Sequence, residues 1–401
     1  MVAAGTLATL LVAALASLFM AWAIGAGSSG STPFAPAVGA NAISVMRAGL
    51  IVGVLGFLGA VLQGANVTEA VGNDLVVGVS ITATAAIVGL ITAAVLVAIG
   101  VFAGYPIATA FTVTGAVVGV GLALGGDPAW GKYREIVALW VATPFIGGGI
   151  AYATARLLRA DRVPERVAVP TLAGLVSALV ANIGFTVLGP PGVQRSLAGA
   201  AAAALPAVGV AGVDLGRIVV TVAFAVLVAL ALFRDMTLDE ARGQRHFLLA
   251  LGGLVAFSAG GSQVGLAIGP LVPLIGGEDA AVQIPLIAVL VGGGVGLLAG
   301  SWTGAPRMIK ALAQDYSSLG PRRSIAALIP SFAIAQTAVA FGIPVSFNEI
   351  IVSAIIGSGY AAGGAGVSTR KMAYTVLAWV GSLALALGIG YGAFTAVDAV
   401  V

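Results

Sequence analysis

The sequence predicts an all-α integral membrane protein of roughly 10–12 transmembrane helices, some of them re-entrant or broken, built as two structural repeats expected to be inverted. Three observations carry that prediction. Of 401 residues, 60% are hydrophobic and 8% charged, with a mean hydropathy of +1.11, outside what a water-soluble domain tolerates. Apolar runs of about 20 residues, the length that crosses a bilayer's hydrocarbon core, recur from end to end. Polar, Gly/Pro-broken motifs also recur at a near-constant offset. Gly27 to Pro36 (GSSGSTPFAP) is answered by Gly261 to Pro270 (GSQVGLAIGP), 234 residues on (270 − 36). Gly104 to Thr109 (GYPIAT) is answered by Gly342 to Glu349 (GIPVSFNE), 238 on (344 − 106). Arg134 to Trp140 (REIVALW) is answered by Arg370 to Trp379 (RKMAYTVLAW), 239 on (379 − 140).

The candidate spans, in order, are 4–25, 46–64, 75–103, 135–158, 168–190, 204–232, 246–260, 282–300, 324–343 and 372–397. Met1 to Ile24 has no basic residue ahead of its apolar run, unlike a cleavable signal, and reads as a retained first span. Four apolar but punctuated pieces, 27–44, 106–125, 262–276 and 344–366, read as re-entrant hairpins or discontinuous helices. Such backbone survives at membrane depth only where protein or a water-filled cavity satisfies it. The 58 glycines sit inside apolar runs and suit close helix packing. Gly56, Ala60 and Gly64 are matched by Gly292, Gly296 and Gly300 at an offset of 236 (292 − 56), which points to a packing stripe in each half.

Basic residues cluster in three connectors: Arg156, Arg159, Arg162 and Arg166; Arg234, Arg242 and Arg245; and Arg307, Lys310, Arg322 and Arg323. The positive-inside rule puts all three on the cytoplasmic side. Six candidate spans separate the first motif from its copy, whereas inverted repeats need an odd number of crossings. The organisation expected is a first repeat (1–158), connecting helices (159–245) and a second repeat (246–401).

The paired motifs, their order and their flanks resemble the inorganic phosphate transporter (PiT) family of secondary transporters. The resemblance runs through Ala23 to Ser44, Leu58 to Val71, Phe257 to Gly269, Gly342 to Gly357 and Leu377 to Trp379. It implies a membrane transporter in which each half supplies an Asn-Asp motif and a Ser-Thr-Thr-His-like turn that hold phosphate and a coupling cation. Here Ser28-Ser29 and Ser262-Gln263 stand at the Asn-Asp positions, followed by Thr32 and Gly265. The turns read Ala108-Thr109-Ala110-Phe111 and Ser346-Phe347-Asn348-Glu349.

The residues themselves suit an anion. Ser28, Ser29, Thr32, Thr109, Ser262, Gln263, Ser346 and Asn348 are the candidate substrate-binding residues, offering hydroxyl or amide donors. Glycine-rich breaks free backbone N–H groups, and half-helix N-termini direct positive dipole ends at an anion. Glu349 is an ionisable group in an apolar run and the candidate coupling-ion residue; it could carry a proton or complete a cation site. Phe34 and Phe111 read as packing residues, Asp214 and Arg217 as a structural pair, Glu278-Asp279 as a solvated loop and His246 as interfacial.

The expected activity is ion-coupled secondary transport of inorganic phosphate by alternating access. A permease for sulfate or another small anion, or a passive anion channel, is the alternative. No enzyme is expected: one His and no Cys leave no metal set, and no acid pair lies in an apolar run. No Walker motif is present, so no ATP site is expected. No cofactor is expected beyond a coupling Na+ or H+. The partners expected are a small inorganic anion and the lipid bilayer, with a homo-oligomer left open; a dispersed net charge of +3 does not suit nucleic acid. The location expected is the cell membrane, as a multi-pass protein.

Overall fold

The computed structural model describes residues 4–160, 163–185, 188, 194–206, 209–210, 213–275, 283–316, 318–363 and 367–400. Glu278 and Asp279 lie outside these residues. The first half contains α1 (Ala4–Ile24), α2 (Ala35–Gly39), α3 (Val45–Gln63), α4 (Ala65–Asn73), α5 (Ala83–Ala103), α6 (Thr109–Ala123) and α7 (Trp130–Leu158). Next come α8 (Glu165–Asn182), α9 (Leu197–Ala202) and α10 (Leu215–Leu238). The second half contains α11 (Glu240–Ile268), α12 (Val272–Ile275), α13 (Leu286–Thr303), α14 (Ala305–Gln314), α15 (Pro321–Phe341), α16 (Phe347–Tyr360) and α17 (Thr369–Asp398). Among the described residues nine helices are long and apolar enough to cross a membrane. The protein is a multi-pass integral membrane protein.

The two halves repeat element for element. A 21-residue helix and a 15-residue helix (α5, α6) precede the 29-residue α7, and helices of 21, 14 and 30 residues (α15, α16, α17) close the second half. Equivalent helices run in opposite directions. Gly53 of α3 lies against Trp302 of α13, and Gly294 of α13 lies against Phe57 of α3, so the numbering rises along one as it falls along the other. The repeats are therefore inverted.

The crossing count fails at 75–103, because the chain there does not cross alone. After α5 and α6 it returns to where it started: Val76 pairs with Pro128 and Val77 with Asp127 in a two-residue antiparallel clasp, and the Tyr133 hydroxyl donates to the Leu75 carbonyl at 2.7 Å. The second half closes its hairpin the same way. The Ser368 N–H donates to Tyr316 O at 3.3 Å, the Tyr316 hydroxyl meets Thr375 Oγ1 at 2.8 Å, and Lys371 pairs with Asp315. Burial pushes the Tyr316 phenol up to about 12, which keeps it a neutral hydrogen-bonding group. Because α5–α6 returns to its starting side it adds no net crossing, and taking α1, α3, α7, α8 and α10 as the remaining crossings before α11 gives an odd number.

The three basic connectors do lie together. Glu165, at the start of α8, pairs with Arg322 of α15 and accepts from the Gln244 side chain of α11.

Several boundaries differ from the expected ones: α5 starts at Ala83, α7 at Trp130, α8 runs Glu165–Asn182 against the expected 168–190, and α11 runs Glu240–Ile268 against 246–260. The span expected over 204–232 is α10, which starts at Leu215 because the Asp214 carboxylate caps the N–H of Arg217 at 3.3 Å. Asp214 and Arg217 thus do not form the side-chain pair expected; the Arg217 Nε instead donates to Asn182 Oδ1 at 2.7 Å, tying α10 to α8. The piece 262–276 is not broken at its start: α11 runs unbroken through Ile268, and only Gly269–Leu271 tightens to a 3-10 turn. Its glycines serve contact instead of a break. A Cβ on Gly260 would stand 1.9 Å from Gly56 O, and one on Gly59 would stand 1.8 Å from Phe257 O. The contacts are mirrored in the other pair: a Cβ on Gly300 would stand 2.0 Å from Trp22 O and one on Gly25 2.1 Å from Leu297 O.

The stripe read from sequence is therefore only partly the packing surface. A Cβ on Gly292 would meet nothing within 4 Å, whereas Gly59, outside the stripe, is one of the tightest positions. Gly59→Val is expected to cost about 3 kcal/mol or more by forcing α3 off α11, while Gly292→Ala is expected to be neutral within about 0.5 kcal/mol. Monodisperse protein surviving a heat ramp in detergent measures both; equal losses would contradict this packing.

Candidate functional site

Four segments meet where the repeats interlock. The first is a single π-helical turn, Gly25–Ser29, that breaks the end of α1. The others are the N-terminus of α6, the last two turns of α11 around Ser262 and Gln263, and the N-terminus of α16. The π turn concentrates its hydrogen bonding on one carbonyl: Ser28 O accepts from the N–H groups of Ser31 and Thr32 and from both of their hydroxyls. The Thr32 hydroxyl is therefore committed to its own backbone.

The hairpin tips are held by two tryptophans at matching positions of the repeat. Trp140 of α7 donates its indole N–H to Pro344 O at 3.0 Å, and Trp379 of α17 donates to Pro106 O at 2.8 Å. Each tryptophan thus fixes the tip that belongs to the other half. Sequence reasoning marked both residues as repeat landmarks without a role. The signal available was their recurrence 34 and 35 residues (140 − 106, 379 − 344) after paired Gly-x-Pro turns, whose carbonyls need a donor at membrane depth.

Gln263 bridges the two tips. Its Oε1 accepts from Thr109 Oγ1 at 2.9 Å and its Nε2 donates to Val345 O at 2.6 Å. Thr109 also reaches Ser28 Oγ at 3.4 Å. The Asn348 amide nitrogen donates to Gly27 O at 2.9 Å and to Ile107 O at 2.7 Å. Four of the candidate donors are thus spent on protein: the Thr32 and Thr109 hydroxyls and the amide nitrogens of Gln263 and Asn348 build the site. Ser29 Oγ, Ser262 Oγ, Ser346 Oγ, Asn348 Oδ1 and Glu349 Oε2 are buried without a hydrogen-bond partner, as are Thr114 Oγ1 and Thr143 Oγ1, which sequence reasoning did not single out.

All nine candidate residues are sealed from solvent, none more than 2% exposed. Native interiors pair nearly all their buried polar atoms. A cluster of orphaned oxygens at the junction of two half-helices is therefore a place built for something polar. The N-termini of α6 and α16 converge on it, adding unpaired backbone N–H groups and positive dipole ends. Phe34 packs against Gly252 and Phe111 stacks on Trp140 with centroids 3.8 Å apart, so both pack as expected. His246 meets Asp235 at 2.6 Å near the chain's basic connectors. No group of three or more metal-ligating side chains is found among the described residues.

Residues 24–390 match the profile of the phosphate transporter family. The chain belongs to that family. It is 26% identical over 92% of its length to a protein of Thermococcus kodakarensis named a phosphate permease, 93% of which is covered. It is 27% identical to a Pyrococcus furiosus protein of the same name, with 92% of each chain covered. The chloroplastic inorganic phosphate transporter 2-1 of Arabidopsis thaliana is 25% identical over 91% of this chain and 68% of its own. The fold is that of a solved sodium-dependent phosphate transporter, with a TM-score of 0.81, 23% identity, and 98% of this chain and 100% of that chain covered.

Proposed function

We propose that this protein carries inorganic phosphate across the membrane by ion-coupled alternating access, with the substrate held where the tips of α6 and α16 meet the π turn of α1 and the last two turns of α11. The observation that carries this reading is the cluster of unpartnered Ser29, Ser262 and Ser346 hydroxyls between two buried half-helix N-termini. Hydroxyls and free backbone N–H groups are what a tetrahedral oxyanion accepts from. Ser28, Thr109, Gln263 and Asn348 hold the four segments in register, and Thr32 fixes the π turn.

The repeats, 1–158 and 246–401 joined by 159–245, are the two bodies whose rocking exposes the site to each side in turn. Coupling falls to Na+ or H+, with Glu349 the residue positioned to sense it. The family is one of transporters, and the site offers hydrogen-bond donors in place of a nucleophile or a metal set, so no catalytic role is assigned.

Purified protein in liposomes tests the reading. Labelled phosphate is expected to accumulate inside against its concentration when an ion gradient is imposed, and labelled sulfate is not. Accumulation of sulfate alone would make the protein a sulfate permease, and equilibration without accumulation would make it a channel.

A further inference from the structure

Glu349 is the one carboxylate among the site's residues, and the structure gives it no cation. Its side chain is 1% exposed and Oε2 has no partner. The element sequence around it, Ser346-Phe347-Asn348-Glu349, spells a capping box, in which a helix's first Ser and third-position Glu satisfy each other's backbone N–H groups. The box is not closed here: Ser346 Oγ caps no N–H and is itself without a partner. The ordinary structural use of both residues is therefore declined, and both are left at the substrate cluster.

No charged group faces Glu349 from the elements packed on α16. On α7, Trp140 lies at Pro344 and Gly148 at Ser353, so the opposing stretch is 140–148, which contains no titratable residue. Lys132, Tyr133, Arg134 and Glu135 lie at the start of that helix, Tyr152 and Arg156 beyond the stretch. On α15 the only charges are Arg322 and Arg323 in its first turn, and on α16 itself the only other titratable residue is Tyr360 in the last turn. The π turn and α6 have none, and those of α11, Glu240, Arg242, Arg245 and His246, end well before Gln263. A helix N-terminus favours a carboxylate, but by less than burial without a partner disfavours one. An anionic substrate in the same site adds repulsion.

We propose that Glu349 is the proton carrier of this transporter, an inference that rests on the phosphate site described above. On the entry side its carboxylate takes a proton from hydronium, whose O–H bond breaks as the carboxyl O–H bond forms and makes the group neutral. That O–H donates to a phosphate oxygen while Ser346 donates beside it. On the exit side phosphate leaves, the O–H bond breaks and the proton goes to water, so one proton crosses with each phosphate. The first repeat has Phe111 at the matching position, 238 residues earlier (349 − 111), so the device exists on one hairpin only.

The test uses the full chain in liposomes with labelled phosphate. In wild type, an inward proton gradient in choline buffer drives accumulation, and a sodium gradient at equal pH does not. Glu349→Gln keeps a donor but no titrating proton: it loses proton-driven accumulation to the level of empty liposomes, and its phosphate/phosphate exchange, slowed because the replaced group touches phosphate, no longer varies with pH. Glu349→Asp restores pH-dependent accumulation. Sodium-driven accumulation in wild type, proton-driven accumulation in Glu349→Gln, or exchange in Glu349→Gln that still varies with pH as in wild type would overturn the proposal while leaving phosphate transport standing. Wild-type liposomes that exchange no phosphate at any pH would overturn the phosphate site itself.

Discussion

Gln263→Leu is expected to remove most phosphate transport while leaving the protein folded. Leucine fills a similar volume but strands Val345 O, which accepts from Gln263 Nε2 at 2.6 Å, and removes the acceptor that holds Thr109 at 2.9 Å. A buried polar group left without its partner costs about 1–3 kcal/mol. With both tips released, a loss of about 2–5 kcal/mol corresponds to roughly 30-fold to several thousandfold in initial rate. Thr109 retains Ser28 as a neighbour at 3.4 Å, so the α16 tip suffers more than the α6 tip. Initial phosphate exchange rates per folded transporter measure the effect. Near-wild-type exchange in Gln263→Leu would mean that the two tips do not need this bridge.

The tryptophan clamps give the second large effect, and their symmetry makes it specific. Trp140→Phe and Trp379→Phe each delete one N–H and keep the ring, leaving Pro344 O or Pro106 O unsatisfied. Each is expected to cost about 1–3 kcal/mol, or roughly 5- to 150-fold in local opening. The location of that cost is crossed between the halves. Trp140→Phe, in the first half, should speed amide exchange at the second-half tip around Val345 to Glu349. Trp379→Phe should do so at the first-half tip around Ile107 to Phe111. Faster exchange confined to the mutated helix would contradict the interlocked arrangement.

How much of this was legible in the sequence depends on whether a feature is local. Span lengths are local, because a helix must carry its own apolar length, and the expected spans at 46–64, 324–343 and 372–397 lie within a few residues of α3, α15 and α17. The direction of the repeats was not local. It turns on two residues, Val76 and Val77, pairing with a strand some fifty positions later, which converts an apparent crossing into a hairpin. The glycines of 260–265 illustrate a second limit. Glycine marks both a broken helix and a close approach, and only the partner helix decides. Here Gly260 and Gly265 press against α3 and α4 and the helix stays whole, while Gly25 and Gly27 sit in a turn that does break.

The site shows the same division. Repeat position brought Ser28, Ser29, Ser262, Thr109, Ser346 and Asn348 onto one list, and these residues do converge. Which atoms remain free could not be read in advance, because it depends on neighbours up to 321 positions away, as with Asn348 and Gly27. Thr32 is used up within one turn of itself, a habit of threonine in helices that residue type alone does suggest.

The chain's lack of cysteine allows the most direct test of where phosphate sits. A single Ser346→Cys replacement puts one thiol, free of background, at the centre of the unpartnered cluster. Its alkylation by a small thiol reagent, followed in liposomes with and without ligand, reports occupancy of that position. Phosphate is expected to slow labelling of Ser346→Cys, sulfate at equal concentration is not, and a cysteine at the exposed position Leu227 of α10 is expected to be labelled at the same rate throughout. Labelling of Ser346→Cys at an unchanged rate in saturating phosphate would contradict the central claim.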